Sequence, residues 1–178
     1  MTIEAKYTGW IEWEFYPRSV VMPDHMISLI DAFKTNEREI TTIKTQNLVS
    51  NDILKIISSS LVKSDFIVES GKRSKEKIKR PVLFGRNGMI EKHFEVDAYS
   101  EKTRTALEVE AGRAVTNYQF LKDFFEACVM IDVDYLAIAI RKRYRNQKDF
   151  ETVIKFFDAL YASRRFVTPL KGILIIGY

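Results

Sequence analysis

Phe94-Glu95-Val96-Asp97-Ala98-Tyr99 and, beyond a polar turn around Ser100 to Lys102, Thr105-Ala106-Leu107-Glu108-Val109-Glu110 decide how this chain is read. Phe94, Val96 and Ala98 alternate with Glu95, Asp97 and Tyr99; Thr105, Leu107 and Val109 alternate with Ala106, Glu108 and Glu110. That two-residue period predicts two antiparallel strands, a hairpin spanning about 92–112. Strand side chains repeat every two residues, so Glu108 and Glu110 point to one face and Leu107 and Val109 to the other. Asp97 shares its parity with Glu95, and a turn at 100–103 can bring Asp97 beside Glu108. Three acids then converge at the end of a hairpin.

Downstream the pattern changes period. Thr116 and Gln119 have capping-box spacing and open a predicted helix, with Tyr118, Leu121, Phe124, Phe125 and Cys128 on its apolar side, lasting to about Met130. Val133 to Ile140 is apolar except for Asp134, as expected of a strand covered on both faces. Asp149 begins another helix, and Ile173 to Ile176 supply a last strand. Upstream, residues 10–16 alternate as a strand, Asp24 to about Lys34 form a helix after Pro23, and Asn51 caps a helix with Ile53, Leu54, Ile57 and Leu61. The stretch 35–50 reads as a loop with a short helical extension at Glu37, and Asp65 to Glu69 as a short strand. Residues 71–80 carry six basic residues and one acid before the turn-like Gly85-Arg86-Asn87-Gly88, and read as an exposed basic connection. Helices and strands alternate, so the expected fold is α/β, a mixed central β-sheet flanked by helices in one domain over 1–178.

Composition is compatible with that fold. The 178 residues are 46% hydrophobic and 12% aromatic, enough for a sizeable core, which excludes disordered and fibrous classes. Lys and Arg number 28 against 24 Asp and Glu, a net charge of +4 that matters only where it clusters. Cys128 is the single cysteine, so neither an internal disulfide nor a cysteine metal cluster is expected. Charges interrupt the start of the chain and no apolar run approaches 18 residues, which predicts a cytoplasmic protein with no membrane partner.

Two unit charges about 4 Å apart repel by roughly 4 kcal/mol at an effective dielectric near 20, so clustered carboxylates call for a cation among them. Mg²⁺ prefers a few carboxylate oxygens, keeps several waters and suits phosphate chemistry. An isolated Glu-x-Glu in a strand is ordinarily the solvated face of a hairpin. Here its context is wider: Phe94-Glu95-Val96-Asp97, eleven residues from Asp97 to Glu108, and Ala106-Leu107-Glu108-Val109-Glu110-Ala111-Gly112-Arg113. This stretch, followed by an aromatic and acidic helix and the apolar 131–140 segment, resembles the BglII/BstYI-like group of PD-(D/E)XK restriction endonucleases. The order of the amino-terminal helices and of the closing 169–177 stretch is similar too.

The resemblance implies a PD-(D/E)XK restriction-endonuclease-like fold and a Mg²⁺-dependent, sequence-specific double-stranded DNA endonuclease, with Mn²⁺ able to substitute. It implies that Asp97 and Glu108 bind the metal and that Asp97, Glu108 and Glu110 are catalytic. Glu110 stands where the commonest motif has Lys, so it must orient water, act as a base or bind metal itself. A homodimer on a palindromic site, and a cognate DNA methyltransferase acting on the same sequence, are the implied protein partners. His93 near the hairpin, and Glu37 or Glu39 as a further helical glutamate, rank behind these acids. Two other readings keep the same residues: a structure-selective repair or mobile-element nuclease, and a DNA-binding relative that no longer cleaves.

Two basic runs complete the sequence picture. Lys72, Arg73 and Lys75, with Lys77, Lys79 and Arg80, precede the hairpin; Arg141, Arg143 and Arg145, with Lys142 and Lys148, follow the apolar strand. Such runs are usually solvated surface, but their placement lets both rim one cleft, with Arg113 also reaching phosphate. Arg141, Arg143, Asn146, Gln147 and Lys148, or Arg86 and Asn87, have the donors suited to base edges.

Overall fold

The computed structural model describes residues 10–41, 47–71, 73–163 and 165–178. Its centre is strand β6 (Thr105–Glu110), paired antiparallel with β5 (Ala98–Ser100) and parallel with β7 (Tyr135–Ile140). Strand β8 (Gly172–Gly177) runs parallel to β7, β1 (Glu12–Tyr16) lies antiparallel on β8, and β2 (Ile67–Val68) on β5. The six-stranded order is therefore β1-β8-β7-β6-β5-β2. Parallel neighbours need crossovers, and helices α4 (Gln119–Val129) and α5 (Asp149–Ser163) supply them.

Both faces of the sheet are covered, which is why β7 and β8 are apolar throughout. Leu107, Val109, Ala137, Ala139, Leu174 and Ile176 pack with Leu29 and Phe33 of α1 (Asp24–Thr35) and Ile53 and Ile57 of α3 (Ser50–Lys63). Residues of opposite parity, Ala106, Leu136, Ile138, Ile140, Ile173 and Ile175, pack with Phe120 and Phe124 of α4 and Val153 and Phe157 of α5. Glu108 and Glu110 share the parity of Ala106, so they project toward α4. A short helix, α2 (Glu37–Ile40), follows α1, as the extension at Glu37 predicts. Among the described residues no helix is long and apolar enough to cross a membrane.

Four local expectations change. Residues 78–84 are not an exposed connection: β3 (Ile78–Phe84) pairs with β4 (Ile90–Val96) in a two-stranded ribbon turning at Arg86–Gly88. Ile78 and Val82 pack with Phe94 against the core on the α4 side, and this periodicity was hidden by the intervening Lys79 and Arg80. Pro81 is tolerated because a bulge follows it and the ribbon is only two strands wide. The strand expected through Phe94–Tyr99 is split at Asp97, where the chain leaves the ribbon and joins the main sheet. Thr116 makes no side-chain cap; Thr116–Tyr118 is a 3-10 turn with left-handed Asn117 and Tyr118, and α4 starts at Gln119. Helix α3 likewise begins at Ser50 rather than after an Asn51 cap, with the Asp52 carboxylate accepting the Val49 N–H at 3.1 Å.

Candidate active site

The break between β4 and β5 sets Asp97 directly beside β6. Ala98 is opposite Leu107, which puts Asp97 next to Glu108, and Asp97 Oδ2 accepts the Val109 N–H at 2.8 Å. The carboxylate thus replaces a backbone acceptor in the ladder. Burial pushes the Asp97 carboxyl up to about 6 against the opposing effect of that N–H, with the Glu69 and Asp123 charges adding to the rise and Lys77 reducing it.

Glu108 and Glu110 are half-buried beneath α4. Burial, and then the charges of Asp97, Asp123 and Glu110, hold the Glu108 carboxyl well above the usual range. Burial also pushes Glu110 up to about 8, followed by the charges of Asp123 and Asp97 and a hydrogen bond to Asp123. Two carboxyl groups bond to each other only through a proton. Like charges this close disfavour double ionisation, so Glu110 and Asp123 bind protons as a pair rather than independently.

Asp123 is the residue that sequence reasoning missed. It is 4% exposed, its Oδ1 accepts from Gln119 Nε2 at 3.2 Å, and its Oδ2 is buried without a hydrogen-bond partner. Burial raises its carboxyl to about 6, against the lowering charge of Lys122. The sequence did carry a signal: Phe120, Asp123, Phe124 and Ala127 fall at i, i+3, i+4 and i+7, so an acid occupies the buried stripe of the helix.

Among the described residues, no three His, Cys, Asp or Glu side chains form a group that could hold a metal ion between them. Mg²⁺ requires less, since one or two carboxylates and waters serve it. The residues fit such an ion chemically: Asp97 and Glu108 offer hard oxygen donors, Asp123 Oδ2 is unpartnered among the described residues, and a dication would relieve the repulsion and burial that raise all four carboxyls.

Glu110 also lines an open cleft of about 500 Å³ with Asn47, Ser50, Asn51, Arg113 and Tyr144. Gly112 shapes that wall. Its φ is +145°, and a Cβ there would lie 2.4 Å from the Tyr144 ring, so only glycine lets the chain pass and present Arg113 outward. A second cleft, of about 410 Å³, shares Asn51 and continues past Lys55 and Glu69 to Gly71. Arg113, Arg73, Lys75, Arg143 and Arg145 are exposed, the last with its guanidinium 5.3 Å from the Tyr144 ring centre. Lys72 lies outside the described residues.

Arg141 is corrected: it does not face solvent. It is 2% exposed and donates to the Leu48 carbonyl at 2.6 Å, and it hydrogen-bonds Tyr178, whose hydroxyl donates to the Glu110 carbonyl at 3.2 Å. Its work is to hold the start of α3 against the end of β6. Arg141→Met therefore lowers unfolding stability by about 2 kcal/mol, because a buried carbonyl loses its donor. An unfolding midpoint unchanged in this variant would refute that structural role. Within the first basic run Lys77 pairs with Glu69 at 2.7 Å, and Arg80 pairs with Asp132 and stacks 3.9 Å over Tyr99. Both serve the fold. Glu37 accepts the Trp10 N–H, Glu95 is exposed opposite Lys79, and His93 shares a small cleft with Lys122 and Glu126.

No protein-family model matches the sequence, and no curated protein matches it significantly.

Proposed function

We propose that the chain is a Mg²⁺-dependent, sequence-specific double-strand DNA endonuclease of the Type II restriction kind, built on the PD-(D/E)XK fold. The observation that carries this reading is the convergence of Asp97 with Glu108 and Glu110 of the adjoining strand, where burial and mutual repulsion raise every carboxyl. The order of antiparallel hairpin, crossover helix and parallel strand, β5-β6-α4-β7, supports the fold assignment.

Asp97 and Glu108 would hold the ion. When bound, Mg²⁺, or Mn²⁺ in its stead, supplies a more acidic water and neutralises charge on the phosphodiester. Burial and its acidic neighbours favour a protonated Glu110 without a cation, so its carboxylate would orient that water and accept its proton only with the ion bound. Asp123, whose charge acts directly on Glu110, would set the proton affinity of that carboxyl. Arg113, across the cleft that Glu110 lines, binds a backbone phosphate, and the exposed Arg143, Arg145, Arg73 and Lys75 extend the positive rim. A palindromic target calls for a two-fold homodimer, each protomer cutting one strand.

Incubation with plasmid DNA and Mg²⁺ yields discrete fragments, and Glu108→Ala yields none. Intact plasmid with the wild type, or equal cutting by the variant, defeats the proposal. The glutamate at position 110 and the lack of a three-residue metal group among the described residues favour one second reading, a DNA-binding relative without cleavage. Tight, salt-sensitive duplex binding with no cutting in Mg²⁺ or Mn²⁺ selects it.

A further inference from the structure

The β3–β4 ribbon does more than carry the chain toward Asp97. Its base is anchored by Ile78, Val82 and Phe94, but its outer end is not covered by the fold. Leu83, Phe84, Met89 and Ile90 are 53, 48, 71 and 55% exposed, so four large apolar side chains stand in water around one turn. Single exposed apolar residues are ordinary; a cluster at the tip of a projecting element marks a contact surface.

Charge identifies the partner. From Arg73 to Glu95 the ribbon and its approach carry seven Lys and Arg against three Glu. Lys77 and Arg80 are held in ion pairs, whereas Arg73, Lys75, Lys79, Arg86 and Lys92 are exposed. A second copy of this chain would bring the same positive charge and be repelled; a polyanion is attracted. At the tip, Arg86 is followed by Asn87 and Gly88 with φ of 58° and 72°, a tight turn that holds the Arg and Asn side chains at its end. Arg is suited to guanine N7 and O6, Asn to adenine, and apolar groups to thymine methyls or to a wedge between base steps.

The dimensions agree. The major groove admits a two-stranded ribbon. Seven residues of β4 span roughly 23 Å at about 3.3 Å per residue, which corresponds to about seven base pairs. The other end of that strand adjoins Asp97.

We infer that the β3–β4 ribbon is an arm that enters a groove of duplex DNA, with Arg86 and Asn87 reading base edges and Met89, Ile90, Leu83 and Phe84 making the apolar contacts. The inference rests on the nuclease reading for its choice of a double-stranded target, and it adds the element that determines specificity.

The test uses the full chain carrying Glu108→Ala, so that bound DNA is not cut, and a pool of duplexes with a randomised centre. Two tip variants are compared with this parent: Arg86→Ala with Asn87→Gly, which keeps the left-handed backbone, and Met89→Ser with Ile90→Ser. The parent enriches a motif, and methylation of guanine N7 within it blocks binding. The Arg86/Asn87 variant binds the enriched duplex about tenfold more weakly, loses part of the motif and melts at the parent's temperature. Any of three results overturns the arm: no motif enriched by the parent, unchanged affinity and motif in both tip variants, or tip variants that dissociate a dimer without losing affinity per protomer. Discrete cutting by the wild type with indifferent tip variants removes the arm and leaves the nuclease reading intact. Tip-dependent binding by a wild type that never cuts removes the nuclease reading and leaves the arm.

Discussion

On the proposed nuclease reading, Asp97→Asn is expected to abolish Mg²⁺-dependent DNA cleavage, lowering the single-turnover rate by about a thousandfold or more, while the protein remains folded. The magnitude follows from losing a charged metal donor: several kcal/mol of charge stabilisation at about 1.4 kcal/mol per tenfold gives three orders of magnitude or more. The fold survives because an amide oxygen accepts the Val109 N–H as the carboxylate does. The variant also removes one charge from a group of carboxylates whose proximity raises all their proton affinities, so its unfolding midpoint without metal equals or exceeds that of the wild type. Lost activity with retained stability is the expected pair. A slower enzyme that is also less stable would make Asp97 a structural residue, and a cutting rate within tenfold of the wild type would remove it from the site.

Stability in a chelator is greater at pH 5 than at pH 8. Each of these acids binds its proton more tightly in the folded chain than in the unfolded one, so the folded form holds extra protons between the two pKa values. Stability is therefore fully present below the unfolded pKa and declines as pH rises through the folded one. The interval runs from 3.8 to about 6 for Asp97 and Asp123, and from 4.5 to about 8 for Glu110. The loss is on the order of 3 kcal/mol, read from urea unfolding at the two pH values. Saturating Mg²⁺ narrows the difference, since an ion that binds the ionised, folded site stabilises it by mass action. Glu110→Gln flattens the profile between pH 6 and 8. Equal stability at both pH values would disprove the raised proton affinities; a pH effect indifferent to Mg²⁺ would disprove a metal at these acids.

The central strands were legible because two simple periods governed them. The alternation in 105–110 and the unbroken apolar run of 135–140 each reflect which faces are covered, and burial in the sheet matches both. Parity likewise carried Glu108 and Glu110 to one face, whereas Asp97 sits beside them at the break between β4 and β5, which the alternation of 94–99 does not show. Asp123 was not legible, because its role depends on α4 crossing over β6, a tertiary relation that no window of sequence contains. The ribbon was obscured by chemistry: Lys79, Arg80 and Pro81 read as loop residues, yet Arg80 is bound by Asp132 and Tyr99, and Pro81 sits on a ribbon edge. Arg141 misled in the opposite way. Its neighbours Lys142 and Arg143 suggested a solvated run, while the end of β7 turns the Arg141 side chain inward to the Leu48 carbonyl.

Among the described residues, the order β1-β8-β7-β6-β5-β2 leaves the sheet with two unpaired margins, and both resist joining another molecule's strand. At one, β2 is two residues long and offers little template. At the other, β1 carries Glu12 and Glu14, bound to Lys142 and Arg18, and Pro17 stops it at once. Short and charged margins are how sheet proteins avoid edge-to-edge aggregation. Continuous growth of the six-stranded sheet is thereby disfavoured.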